Sequence, residues 1–404
     1  MKVYIESFGC TRRKLDVTKF HRYFILNGFT IVKDPKKADY IVVTTCAFKK
    51  EEEEHSLSRL DQLGHNRAQM LVYGCLPDIA PNKYLERFNY DYVSPRNVDE
   101  IDSRFSGIRY KFSEIKESNL IPGFINHSQW KDAVGKFVTD FEFSKQFFKR
   151  VATYAGNKLR KNPGNFYLFT SRGCLGSCSY CAIKYAIGRV RSKPVENVVM
   201  EFREGILNGY NNFIILGDDV GAYGQDINSS FPELLSALVN EADRVAGSGN
   251  HCRPSLYIEE IHPNWVVMFR DQLLDILMSD KIKSILCPVQ SGNDRILALM
   301  KRSHTAEEIF QALSMIREVN PKIRLTSQII AGFPTETEND FDDTLQFLKT
   351  ARFDEVIVFP YDAKENTEAF RLDPKVPEKT ISQRVDKAMK FLAKERIAAY
   401  LSCQ

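Results

Sequence analysis

Short apolar runs alternate with stretches whose apolar positions recur every three or four residues. Val3-Tyr4-Ile5 precedes a helical pattern from Leu15 to Leu26, Tyr40-Ile41-Val42-Val43 precedes another over 51–63, and Met70-Leu71-Val72-Tyr73 follows it. Runs of this kind mark strands buried on both faces, and the helical periods between them mark crossover connections. Residues 1–100 therefore predict an open parallel sheet with helices packed on it, with Gly28 closing the first helix as a C-cap.

The alternation fades over 101–164, where Asn, Gly, Ser and Pro are scattered among Phe124, Trp130, Phe141, Phe147 and Phe148. This stretch reads as a linker with local helices, too aromatic to be wholly disordered. After Gly164 the pattern resumes, with strands predicted near 166–170, 213–216, 256–261, 285–287, 323–331 and 356–359. Helices are predicted between them at 195–208, 234–245, 306–319 and 338–348. Six such units over 165–375 predict a partial (β/α)6 barrel, a fold that places its chemistry at the C-terminal ends of the strands. Ile381, Val385, Ala388, Met389 and Leu392 then predict one C-terminal helix within 376–404. The fold class is α/β: an open parallel sheet, a partial barrel and a closing helix.

Cysteines add chemistry to this frame. Cys174, Cys178 and Cys181 form a CxxxCxxC run directly after the first barrel strand. A cubane iron–sulfur cluster normally takes four thiolates, so a local set of three leaves either a distant fourth ligand or one iron open to a substrate. Structural zinc is the competing reading, but zinc favours paired CxxC units with four closed ligands, and no second CxxC exists here. Cys10, Cys46 and Cys75 each follow a predicted strand of the N-terminal sheet. Ligands of open α/β sheets collect outside the carboxyl ends of strands, so these thiols could converge on a second metal site, although each alone would read as a small buried hydrophobe. Cys252, Cys287 and Cys403 have no partners at useful spacing. Cys287 alone of these stands at a barrel strand end, where it could meet substrate.

With 404 residues and 43% hydrophobic composition, the chain has material for more than one core. It shows no apolar run of about eighteen residues and no signal peptide, so a soluble cytoplasmic protein without membrane association is expected. Nine cysteines fit metal or redox chemistry there better than a disulfide framework. The net charge is only +4, yet residues 143–193 carry eleven Lys or Arg and no Asp or Glu. That one-signed segment around the CxxxCxxC loop either compensates cluster charge or attracts an anionic ligand. The charge run at 49–54 reads as a solvated helix face.

The CxxxCxxC spacing resembles the signature of radical S-adenosylmethionine (SAM) enzymes. Together with the N-terminal cysteines and the segments 214–224, 288–297 and 331–337, the chain resembles the radical SAM methylthiotransferases over about 1–105 and 165–375. The resemblance implies two [4Fe-4S] clusters: one on Cys174, Cys178 and Cys181 that binds and cleaves SAM, and an auxiliary one on Cys10, Cys46 and Cys75 that donates sulfur. It also implies SAM contacts from Tyr180 beside the adenine, Gly217 and Asp218 at the methionyl end, Gln290 and Ser291 near the ribose, and Gly332 and Glu336 at the adenine and ribose edge. A flavodoxin- or ferredoxin-type reductant would supply electrons, and the strand ends of both domains would open toward a common cavity.

Thr45, Asp218, Cys287 and Ser327 stand where the family usually carries Asn, Gln, His and Asp. Family members also end in a small β-barrel that grips tRNA or protein, whereas only the helix after Pro377 is legible here. From these departures a peptide, protein or small metabolite is the expected substrate, with tRNA as the alternative that the basic segment keeps open. Sulfur insertion without methylation, and a non-catalytic RNA-binding or iron-sensing module, are the remaining readings.

Overall fold

The computed structural model describes residues 1–121, 164–247 and 253–401. Most of the sequence-predicted linker, including Phe124, Trp130, Phe141, Phe147 and Phe148, lies outside the described residues, as do Cys252, Cys403 and the first part of the basic segment.

The described chain forms two units, the first built on Met1–Phe169 and the second on Thr170–Lys184, Arg189–Glu204 and the chain from Asn212 onward. In the first, β1 (Lys2–Glu6), β2 (Thr30–Val32), β3 (Tyr40–Thr45), β4 (Gln69–Gly74) and β5 (Asp91–Val93) form a parallel sheet in the order β2-β1-β3-β4-β5. Strand order reverses between β1 and β3, which are paired from Val3↔Tyr40 to Glu6↔Val43. In this order the crevice beyond the carboxyl ends of β1 and β3 is where doubly wound sheets bind ligands. Helix Thr11–Leu26 buries Val17, Phe20, Tyr23 and Phe24 against Val3, Val42, Leu71 and Tyr73 of the sheet. Ile101, Phe105, Phe112 and Ile115 complete the same core, so the described start of the predicted linker is packed into the first unit.

The second unit carries an eight-stranded sheet, apart from residues 165–169 of the sheet's first strand, which count with the first unit. Its strands are β6 (Asn165–Arg172), β7 (Arg191–Ser192), β8 (Asn212–Gly217), β9 (Ser255–Ile258), β10 (Ile282–Leu286), β11 (Arg324–Ala331), β12 (Glu355–Pro360) and β13 (Ala398–Leu401). The order is β13-β12-β11-β10-β9-β8-β6-β7, with β8 through β13 parallel and β7 antiparallel to β6. Six of these are the predicted strands. Two edge strands are additional, and β13 follows the expected C-terminal helix, Glu378–Lys394. Thr305 with Glu308, and Thr337 with Asp340, form capping boxes that start helices Ala306–Val319 and Glu338–Thr350 immediately after loops at the working end of the sheet. Among the described residues no helix is long and apolar enough to cross a membrane.

Candidate active site

Two groups of thiols lie at strand carboxyl ends, one in each unit. In the first unit Cys10 follows β1, Cys46 follows β3 and Cys75 follows β4. The first two flank the switch point in strand order. Cys10 is exposed while Cys46 and Cys75 are buried. Ser56 fixes the Cys46 backbone, its hydroxyl accepting from the Cys46 N–H at 3.0 Å and donating to the Cys46 carbonyl at 2.7 Å. The Cys75 N–H donates to the Thr45 carbonyl at 3.1 Å. Burial pushes the Cys46 thiol up to about 11, and the neighbouring Cys10 adds to the shift. Beside these thiols lies a buried cation, Arg13, whose Nη1 is 3.0 Å from Asp16 Oδ2.

In the second unit the CxxxCxxC loop follows β6. An added Cβ at Gly176 would stand 3.2 Å from Cys174 Sγ and 3.7 Å from Cys178 Sγ, so glycine leaves the space between these sulfurs open. Cys178 is buried, and burial raises the thiols of both Cys174 and Cys181. The Gly176 N–H already donates to Cys174 Sγ at 3.1 Å, as expected of a site built to hold a thiolate. Among the described residues no three His, Cys, Asp or Glu side chains gather on a single metal ion. A cubane differs from such a site in taking one thiolate at each iron.

The loop is anchored from several directions. Ser179 donates its hydroxyl to the Leu299 carbonyl at 2.6 Å and its N–H to the Met300 carbonyl at 3.1 Å. Asp218 Oδ2 accepts the Gly173 N–H at 2.7 Å, which ties β8 to the start of the loop. Tyr180 packs against Ile296, Met300 and Phe333, and its hydroxyl accepts from Arg302 Nη2 at 2.7 Å. Gly217 closes β8 against Ser171.

Further along the strand ends, Gln290 holds φ +69°, a conformation costly for a side chain other than glycine. It is locked there because its N–H donates to the Gln328 carbonyl at 2.8 Å and its carbonyl accepts from Ile330 at 3.0 Å. Among the described residues its Oε1 is buried without a hydrogen-bond partner, as are Nε and Nη1 of Arg302 and both ring nitrogens of His304. Native structures rarely leave such groups orphaned unless a ligand satisfies them. This set suits a compact, charged, hydrogen-bonding ligand, as SAM is.

Ser291 and Glu336, expected near SAM, also make hydrogen bonds within the protein, and among the described residues Glu336 Oε1 is left buried without a partner. Ser291 is 1% exposed, and its hydroxyl pairs with Thr344 Oγ1 at 3.1 Å. Glu336 Oε2 accepts from the Gly332 N–H and from Arg384 Nη1, both at 2.8 Å. Gly332 itself has φ +85°, and a Cβ there would collide with Ile381 of the C-terminal helix. These three residues brace β10 and β11 against neighbouring helices.

Sequence reasoning missed a polar group centred on Asp219. Its carboxylate accepts from Trp265 Nε1 at 2.8 Å and from the N–H groups of His262 and Gly221, each at 3.2 Å. Oδ2 also lies 3.9 Å from Cys174 Sγ, while His262 Nε2 lies 3.8 Å from Cys178 Sγ. Burial pushes the Asp219 carboxyl up to about 6 against these hydrogen bonds. Burial pushes His262 well down and His304 to about 4, with Arg302 adding to both shifts. An Asp-Asp pair at a strand end was the only signal in the sequence, since His262, Arg302 and His304 carry no motif of their own.

The folded chain binds the His304 proton less tightly than the unfolded chain, so the stability contributed by the neutral ring is present above its ordinary value and is lost as pH falls toward 4. Replacing His304 with Gln should therefore reduce the loss of stability between pH 6.5 and 5 by about 1.5 kcal/mol. Denaturant unfolding of the metal-free chain at the two pH values measures this.

A parallel sheet whose first strand runs into a three-cysteine loop, with buried polar groups along the next strand ends, defines a radical SAM enzyme. The profile of the radical SAM superfamily matches residues 168–348, and that of uncharacterized protein family UPF0004 matches residues 2–94. A tRNA-2-methylthio-N(6)-dimethylallyladenosine synthase of Thermotoga petrophila is 30% identical over 379 residues, covering 92% of this chain and 76% of the relative. A probable threonylcarbamoyladenosine tRNA methylthiotransferase of Pyrococcus horikoshii is 29% identical over 91% of this chain and 78% of its own length. Among solved structures, a radical SAM methyltransferase of Kitasatospora setae shares the fold with TM-score 0.60 at 14% identity, over 91% of this chain and 76% of that one. The chain belongs to the radical SAM methylthiotransferase family. It is a transferase whose cofactors are [4Fe-4S] iron–sulfur chemistry and SAM. The expected preference for a peptide or metabolite finds no support among these relatives. That preference rested on a module not legible in the sequence and on the departures at Thr45, Asp218, Cys287 and Ser327, none of which specifies a peptide or a metabolite.

Proposed function

We propose that the chain is a tRNA methylthiotransferase, acting on a modified adenosine of the kind its relatives are named for. The observation that carries this is the pair of three-thiol groups at strand ends of both units, in a chain that matches tRNA methylthiotransferases over nine-tenths of its length. Cys174, Cys178 and Cys181 would hold the cluster that binds SAM, and Cys10, Cys46 and Cys75 a second one. When bound, these groups supply the electron, the sulfur, the methyl group and the hydrogen-abstracting radical.

The protein's own side chains hold and shield that chemistry. Asp219 fixes Trp265 and the His262 backbone beside the cysteine loop, Gln290 and Arg302 present buried polar atoms to SAM, and the low exposure of this wall keeps water from a radical. A cytoplasmic flavodoxin- or ferredoxin-type reductant is the expected electron source.

The test is anaerobic incubation of reconstituted protein with SAM, dithionite and tRNA from cells lacking the gene, followed by mass spectrometry of the digested nucleosides. A methylthio increment on an adenosine, with S-adenosylhomocysteine and 5′-deoxyadenosine as co-products, is the expected result. An increment of sulfur alone, or of methylthio on peptide but not on tRNA, would overturn the assignment.

A further inference from the structure

Arg13 is buried to 2% exposure in helix Thr11–Leu26, three residues after Cys10, a costly position for a guanidinium. Its Nη1 lies 2.9 Å from the Tyr73 hydroxyl and 3.0 Å from Asp16 Oδ2, and the Tyr73 hydroxyl donates to the same carboxylate oxygen at 2.6 Å. These partners gather at one end of the guanidinium. At the other, Nε is buried with no hydrogen-bond partner among the described residues. Gly9 marks what lies nearby: a Cβ there would stand 3.5 Å from Cys46 Cβ and 3.9 Å from Arg13 Cβ. Burial alone would push the guanidinium down, yet Tyr73, Asp16, Cys75 and Cys10 together hold it well above its ordinary value. Two of those four neighbours are thiols.

A purely structural ion pair would leave this arrangement unexplained, because a buried pair gains stability only when its remaining donors are satisfied. Three cysteinate ligands on a cubane make an anion whose negative charge grows on reduction. Net charge and local hydrogen bonding are the levers that set the potential of such a centre.

We propose that Arg13 is a positioning residue for the N-terminal iron–sulfur centre: held by Asp16 and Tyr73, it forms a fixed dipole whose positive pole faces Cys10, Cys46 and Cys75 and raises that centre's reduction potential. This rests on the reading of those cysteines as a second cluster site. The dipole makes two predictions of opposite sign. Removing both charges removes the positive pole and lowers the potential, whereas neutralising Asp16 alone leaves an uncompensated cation and raises it.

The test is a redox titration monitored by electron paramagnetic resonance on the full chain carrying C174A, C178A and C181A, so that the N-terminal centre is observed by itself. In that background R13M/D16N should lower the ratio of reduced to oxidised centre at fixed ambient potential roughly tenfold, or ~59 mV for one electron. D16N should shift it the opposite way, and R13K should stay near the parent. Should R13M/D16N fail to fold, the nearly isosteric D16N still carries the test. A centre present in every variant with potentials unmoved, or moved in one direction by both changes, overturns the role of Arg13 alone. Absence of any centre in the parent background overturns the two-cluster reading, and this inference with it.

Discussion

Changing Cys174, Cys178 and Cys181 together to Ala will abolish 5′-deoxyadenosine formation from SAM and dithionite, to the background seen without protein. Iron content after anaerobic reconstitution should fall by about four per chain. Strand β6 delivers the loop to the carboxyl end of the sheet, and the Ser179 and Asp218 hydrogen bonds fix its path from there. Those bonds come from residues other than the thiols, so the loop should keep its backbone in the variant. Loss of the reaction would then report loss of ligands and not of fold. Burial holds Cys174 and Cys181 above the ordinary thiol value, so loading the site must expel protons, and assembly should slow as pH falls. Undiminished 5′-deoxyadenosine from the triple variant would remove the radical SAM assignment of these residues.

How much of this was legible beforehand depended on whether chemistry or geometry carried the signal. CxxxCxxC is local, and its meaning survives without a fold. The parallel sheets were legible because strands such as Tyr40–Thr45, nearly all buried, leave continuous apolar runs. The short edge strand Ala398–Leu401 was not, since four residues next to a helix give no distinct period. Long-range side-chain partners were the least legible part. Nothing along the chain signals that Arg384, nearly fifty residues away, reaches one carboxylate oxygen of Glu336 while the other stays unpaired among the described residues. Arg302 illustrates the same failure: a basic residue that sequence alone would assign to the surface is 8% exposed, because Tyr180 and the Pro288 carbonyl receive it. Charge alone could not reveal Arg13 either, for its neighbours Arg12 and Lys14 are equally basic and it alone of the three is buried.

Changing Cys10, Cys46 and Cys75 together to Ala will give a different loss. SAM cleavage should persist at a substantial rate, while methylthio transfer to substrate falls to background and iron again drops by about four per chain. The two outcomes separate because each group of thiols is held within its own unit by its own scaffold. Ser56 and Thr45 fix Cys46 and Cys75, whereas Met300, Leu299 and Asp218 fix the CxxxCxxC loop. The burial of Cys46 and Cys75 makes some loss of stability certain, but Cys→Ala removes one polarizable atom from each site and leaves the Phe20, Phe24, Val42 and Leu71 core intact. Comparing 5′-deoxyadenosine with methylthio-nucleoside in a single reaction therefore measures the division of labour directly. Equal loss of both products in a folded variant would mean that the N-terminal cysteines serve SAM cleavage itself, as an electron relay would. An unchanged iron content would mean that they bind no cluster, and sulfur donation would have to be sought elsewhere in the chain.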